Sequence, residues 1–237
     1  MSTEKINIRL TTEANLCIGG TPHSFEIGGV DLHTVTDYNG NPYIPASSFK
    51  GALRNIVRDK VKNEDAVALQ IGEAYRRYLE AIRKTAEDCK QIKNQERINS
   101  MKEHFDAVLS DVSAEYLFGI QGFNHTPKLL FNDFILDHKP KGGVEQLFSI
   151  DSKNVIEYSE NNIAANPRQY KTVRPGVVFR GEILFSQIDK LETPDLKAET
   201  IRKFIENTIL EFNDGIYRLG NSGSRGYGKV QIELIQE

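Results

Sequence analysis

Residues 219–230 read LGNSGSRGYGKV, with four glycines, two serines, an arginine and a lysine in twelve positions. The stretch lies between an amphipathic segment, LKAETIRKFIENTILEFNDGIYRLG, and a final alternating run, KVQIELIQE. Glycine loses more backbone freedom on folding than any other residue, so a cluster of them needs a compensating requirement. A tight helix-to-strand connection is one. Close approach of backbone N–H groups to an anion such as a phosphate is the other. Either way the chain has to end as helix, glycine-rich loop, strand, and the rest of the fold must accommodate that order.

The remaining regular elements repeat the alternation. KINIRLTTE (5–13) alternates with Ile6, Ile8 and Leu10 on one face and reads as a strand. SSFKGALRNIVRDKV reads as a helix that Ser47 or Ser48 can cap, with Phe49, Leu53, Ile56 and Val57 on one side. VVFRGEILF (177–185) is a strand, and Ile201, Phe204, Ile205, Ile209 and Phe212 form the inner face of the second helix. The order strand, helix, strand, helix, strand fits a ferredoxin-like α+β core, which is also the core of the RRM. Residues 62–115 are rich in Glu, Lys, Arg, Ala and Gln without proline, and read as a solvated helical insertion of one long helix or two. Residues 148–178 are polar and read from composition alone as irregular.

The 237 residues carry a formal net charge of −3, so the global basic balance of many nucleic-acid binders is absent and any such binding rests on local cationic patches. Cys17 and Cys89 are far apart and make neither a zinc motif nor a disulfide framework. No apolar run is long enough for a membrane span and no secretory signal is evident, so a cytoplasmic location without a membrane partner is the expectation.

Three segments then resemble one family. IPASSFKGALR (44–54) is similar to the IPGSSLKG-x-x-R segment of CRISPR-associated RAMP proteins, and GNSGSRGYGKV resembles the glycine-rich loop of that superfamily. ANPRQYKTVRPG (165–176) is similar to the thumb hairpin of its backbone subunits. With LCIGG near the start and GGVDLHTVTD at 28–37, the resemblance spans the chain apart from the helical insertion. It points to the repeated backbone subunits of type III-A (Csm) complexes, which cut target RNA. The domain expectation is one RAMP domain over 1–237, with a core of about 1–61 and 177–237, a helical insertion of about 62–115, and a thumb-like β-hairpin of about 148–178.

The resemblance implies the site. In the glycine loop, Gly223 and Gly226 let a backbone approach, Arg225 forks onto a phosphate and Lys229 acts as a point charge. Tyr227 can stack on a base or pack on the sheet, and packing is the favoured reading. Ser47, Ser48, Lys50 and Arg54 form a guide-binding set at a helix N-terminus. Arg168, Lys171 and Arg174 suit phosphates in the thumb, where Ile163 or Pro167 could wedge between bases beside the small Ala165. Asp31 matches the aspartate of the family's cleaving subunits. A carboxylate of ordinary pKa is a poor base at neutral pH, but it can ligate Mg²⁺, a hard divalent ion, or orient a 2′-hydroxyl. His33 is a minor candidate and Asp37 a turn former. Where the family often has histidine stands Cys17, read as a small buried residue.

The implied partners are a CRISPR guide RNA, complementary target RNA, further copies of the chain and other type III effector subunits. Three rivals remain at this level: a structural paralogue that grips guide without cutting, a ribonuclease that processes guide precursors, and a generic RRM-like binder. Cys17 tells against the second, and missing RNP-type aromatic motifs tell against the third.

Overall fold

The computed structural model describes residues 4–19, 32–87, 95–138, 140, 142–159 and 162–235. In chain order its strands and helices are β1 (Lys5–Thr12), β2 (Leu32–His33), α1 (Ala46–Lys62), α2 (Ala66–Glu87), α3 (Gln95–Ser110), β3 (Lys128–Phe131) and β4 (Ile135–Leu136). They continue with β5 (Phe148–Ser159), β6 (Asn162–Val173), β7 (Val178–Ser186), α4 (Ala198–Leu210) and β8 (Val230–Ile235). The larger sheet runs β3-β7-β1-β8, with β4 also paired to β7. With α1 between β1 and β3, and α4 between β7 and β8, this is the βαββαβ order of the ferredoxin-like core. The α+β expectation therefore holds.

The chain divides into two compact units, each assembled from three stretches. The first comprises Met1–Lys5, Leu53–Leu130 and Ile183–Thr208. Here Asp65 caps α2, its Oδ1 accepting the N–H groups of Val67 and Ala68 at 3.0 and 2.9 Å. Ala68, Ile71, Tyr75 and Leu79 lie on one face of α2 and are buried, as are Leu117 and Phe118 of the 3₁₀ turn Ala114–Phe118. The buried Tyr75 hydroxyl donates to the Pro127 carbonyl at 2.7 Å, so its polar end is satisfied inside the core. The insertion read as one helix or two contains α2 and α3, with residues 88–94 outside those described.

The second unit comprises Ile6–Ala52, Phe131–Glu182 and Ile209–Glu237. β1 and β8 pair antiparallel from Asn7↔Ile235 to Thr12↔Val230. Alternate residues Ile6, Ile8 and Leu10, with Val230 and Ile232, are buried. Phe49 of α1 lies 4.5 Å from the Phe134 ring and 5.5 Å from Phe212, an aromatic cluster whose members are fully buried. α1 begins at Ala46, and its first N–H is accepted by Asp133 Oδ1 at 2.7 Å, so the cap comes from a distant loop and not from Ser47 or Ser48. Past the end of α4, the side-chain amide of Asn213 donates to the Ile232 carbonyl at 3.0 Å and accepts the Ile232 N–H at 2.7 Å.

The segment that composition marked as irregular is the longest regular feature of this unit. β5 and β6 form an antiparallel hairpin of twelve cross-strand pairs, from Phe148↔Val173 to Ser159↔Asn162. At the usual rise per residue it is roughly 40 Å long. Its foot is fastened by Thr12, whose hydroxyl donates to the Arg174 carbonyl at 2.7 Å and accepts the Val177 N–H at 3.0 Å. β2 adds to β6 as a parallel strand, Leu32 beside Tyr170 and His33 beside Lys171.

Candidate nucleic-acid interface

The glycine-rich loop is held at its two flanks and open at its tip. At Gly220 (φ +73°) a Cβ would stand 2.3 Å from the Cys17 carbonyl oxygen, and at Gly228 (φ +74°) 1.9 Å from that of Leu219. Side chains are excluded there because the loop folds against neighbouring backbone: Asn221 N–H donates to Cys17 O at 2.7 Å and Gly228 N–H to Asn15 O at 2.9 Å. Gly226 has nothing within 4 Å of a Cβ, and Gly223 makes only ordinary contact with Arg218. Between the two flanks Ser222 is left-handed (φ 62°) and Gly223–Arg225 is a 3₁₀ turn. Successive residues of opposite hand curl their N–H groups to one side, the geometry of an anion-binding nest. The N–H groups of Ser222, Gly223 and Ser224 have no partner among the described residues. Arg225 is exposed beside them and likewise has no side-chain partner there.

Lys229 is placed differently from Arg225. Its ammonium pairs with Glu13 at 3.0 Å. Tyr227 packs inward, as the sequence favoured: its hydroxyl donates to Asp151 Oδ2 at 2.5 Å. Asp151 also accepts from the Asn15 amide at 2.8 Å and from the Ser149 and Thr172 hydroxyls at 3.3 Å each. Burial alone would raise the Asp151 carboxyl, yet these hydrogen bonds, led by Tyr227, hold it below the ordinary value. The phenol of Tyr227 is pushed up to about 12 by burial and by its bond to the Asp151 carboxylate. Sequence reasoning missed Asp151, which stands in the polar stretch without a motif of its own; the Tyr227 side chain was the only hint that something beneath the loop needed a donor.

The half of the hairpin nearer its foot carries the other cations. Lys171 pairs with Glu145 at 3.1 Å and lies 4.5 Å above the Phe148 ring. The Arg174 guanidinium donates to the Phe148 carbonyl, and Arg168 is exposed. Ile163, Ala165 and Pro167 belong to β6, but their side chains lie outside those described. Cys17 is buried, matching its reading as a packing residue. His33 is half-buried in β2 and Asp37 is the turn former expected, accepting the N–H groups of Asn39 and Asn41 at 2.8 Å. Asp31 lies outside the described residues, one position before β2.

On the first turn of α1, Ser47 is exposed, while Ser48 and Lys50 are half-buried. In the other unit, Arg54 donates to Glu115 Oε2 at 2.8 Å and Arg58 donates to both oxygens of the same carboxylate at 2.9 and 3.1 Å. Burial pushes the Glu115 carboxyl up, but hydrogen bonds from Arg58 and Arg54 outweigh it and hold the group below its ordinary range. Arg54 thus arrives at the surface already oriented by an acid that the sequence reading did not single out.

Among the described residues no group of three His, Cys, Asp or Glu side chains converges, so they build no metal cage. No helix among them is long and apolar enough to cross a membrane.

The chain is similar to several known proteins. A protein of Methanocaldococcus jannaschii named CRISPR system Cms endoribonuclease Csm3 is 27% identical over 224 residues, covering 94% of this chain and 76% of its own. A protein of the same name from Streptococcus thermophilus is 26% identical over 237 residues, covering 98% and 88%. Among solved structures, a chain of the type III-B Cmr-beta bound to cognate target RNA, determined by cryo-EM, superposes with a TM-score of 0.54 at 19% identity. The match covers 98% of this chain and spans 60% of that one, a likeness of fold. The family model of the RAMP superfamily matches residues 9–231, and the chain belongs to that superfamily.

Proposed function

We propose that this chain is a guide-RNA-binding backbone subunit of a type III CRISPR effector complex, and that it cuts complementary target RNA at regular intervals through Asp31. The observation that carries the reading is that the glycine loop, with its open nest and exposed Arg225, is fastened through Tyr227 and Asp151 to the foot of a long hairpin. The nest and Arg225 suit guide phosphates, whose contacts carry no base code, as a protein that accepts many guides requires. Ser47, Ser48 and Lys50 at the start of α1 suit further guide phosphates, Arg54 suits one in its own unit, and the hairpin with Arg168, Lys171 and Arg174 suits the guide–target duplex. Membership of the RAMP superfamily and relatives named Csm3 endoribonuclease support the same reading. Copies of the chain would line up on one guide beside other effector subunits in the cytoplasm.

For the chemistry, Asp31 orients the attacking 2′-hydroxyl or ligates a divalent ion, Mg²⁺ by its hardness. Were an ion to take part, Asp31 would be the residue to hold it, and the ion would supply charge stabilisation at the scissile phosphate. The test is a labelled target RNA incubated with guide-loaded complex, wild type against Asp31→Ala, with capture followed in parallel. Loss of cutting with retained capture, and sensitivity of the wild type to chelator, are expected. Wild-type complex that captures target and leaves it whole would favour the purely structural paralogue.

A further inference from the structure

Asp151 has no evident task in gripping RNA. A carboxylate beside a phosphate-binding loop is repelled by the ligand, so its presence there has a cost. It is nonetheless held by four side-chain donors from four stretches of chain: Tyr227 of the glycine loop, Asn15 after β1, Ser149 of β5 and Thr172 of β6. An ionised carboxylate has only acceptor sites and can gather several donors, which a neutral side chain of this size could not do. Its shortest bond, at 2.5 Å, is the one to Tyr227, and a hydroxyl–carboxylate bond is charge-assisted and directional.

The position of Asp151 in the hairpin adds the second observation. Across the ladder Asp151 stands opposite Tyr170, and Tyr170 in turn stands beside Leu32 of β2. Asp151, Tyr170 and Leu32 therefore share one rung of three hydrogen-bonded strands. Leu32 is the residue that follows Asp31 in the chain. The Thr34 N–H, bonded to the Lys171 carbonyl at 2.9 Å, continues the attachment. A path of one side-chain hydrogen bond and one backbone rung thus runs from the phosphate-facing loop to the strand next to Asp31.

We infer, resting on the function proposed above, that Tyr227 and Asp151 are a positioning couple for target cleavage: they fix the glycine loop that holds the guide at a set distance from the strand that follows Asp31. Neither residue touches the reacting atoms. Both act by placing β2, the strand into which Asp31 leads, relative to a guide whose phosphates are already gripped. In-line attack tolerates little misplacement, and an error of about 1 Å can cost about a hundredfold in rate.

The couple is tested in guide-loaded complex with Tyr227→Phe, which keeps the ring and removes the hydroxyl, and Asp151→Asn, which keeps the shape and removes the charge. Single-turnover cleavage at saturating target is expected to fall about tenfold or more in each, while guide and target dissociation constants stay within about threefold of wild type. The double variant should fall no further than the worse single variant, because both changes break the same contact. Should Asp151→Asn fail to fold, as judged by its thermal melt, Tyr227→Phe decides alone. Unchanged cleavage in Tyr227→Phe, or equal losses in binding and cleavage, overturns the positioning role while leaving the proposed function intact. A wild-type complex that captures target without cutting overturns the proposed cleavage itself, and this role with it.

Discussion

Arg225 and Lys229 are both cations of the glycine loop, and their surroundings separate them. Arg225 is exposed beside the nest, whereas Lys229 is paired with Glu13 at 3.0 Å. Arg225→Ala is expected to weaken guide binding by about 1–3 kcal/mol, equally for guides of different sequence, and to reduce the salt dependence by about one phosphate contact. Lys229→Ala should cost less, since the side chain it removes is already neutralised. Filter binding across a salt series with two unrelated guides measures both. Tyr227 gives a prediction on alkaline stability. Its phenol is raised in the folded protein from an ordinary 10.0 to about 12, so the stability it contributes is whole below about pH 10 and is lost as pH rises toward about 12. Tyr227→Phe should therefore be less stable than wild type at neutral pH and should converge with it over that range, as read from paired urea midpoints. The sequence favoured inward packing for Tyr227 but could not show its partner. Asp151 is 76 residues away, in a stretch whose composition signals nothing.

Among the elements, α1 and the hairpin show where sequence reading works and where it stops. The 3.6-residue spacing of Phe49, Leu53, Ile56 and Val57 was enough to find α1, and all four are fully buried. Its cap was not legible, because the acceptor is Asp133, 87 residues further on. The hairpin escaped composition because its strands lack the clean apolar alternation that burial of one face imposes, and only the resemblance of residues 165–176 pointed to it. Shortening it symmetrically, by removing residues 156–165 and closing with a two-residue turn, should leave thermal stability and guide loading near wild type. It should also abolish regularly spaced target cuts, as read from end-labelled products. In α1, Glu115 holds Arg54 and Arg58 together through three hydrogen bonds. Glu115→Gln is expected to cost about 1–2 kcal/mol, or a few degrees of melting temperature, while guide affinity stays level or rises as an acid is removed beside two arginines. The sign with pH follows from the lowered carboxyl: the deficit is full near neutrality and shrinks in acid as Glu115 itself protonates. Paired melts across acid to neutral pH, with guide titrations alongside, test this.

For the molecule as a whole, the sheet order β3-β7-β1-β8 was legible as a fold class from the alternation of helix and strand, while the division into two units built from interleaved stretches was not, since it depends on contacts between residues far apart in the chain. A chain of net charge −3 has little general attraction for RNA, so binding should depend strongly on how many copies share one guide. Affinity measured against guide length at fixed salt should rise steeply; equal affinity for a very short oligonucleotide and a long guide would count against assembly along RNA. In the proposed assembly, copies crowded on one strand would meet a hazard that Asn213 answers. Among the described residues β8 ends its sheet, and an edge strand presents backbone donors and acceptors on which a stray strand can template. The Asn213 amide occupies both groups of Ile232, imitating the neighbour that a second β8 would otherwise supply. Asn213→Ala should leave the subunit folded but prone to irregular clumping without RNA, visible as a concentration-dependent rise in light scattering. An ordered filament needs its subunits indifferent to one another everywhere except at the intended joints, and one asparagine side chain takes one residue's backbone groups out of play at the edge where a β-protein is stickiest.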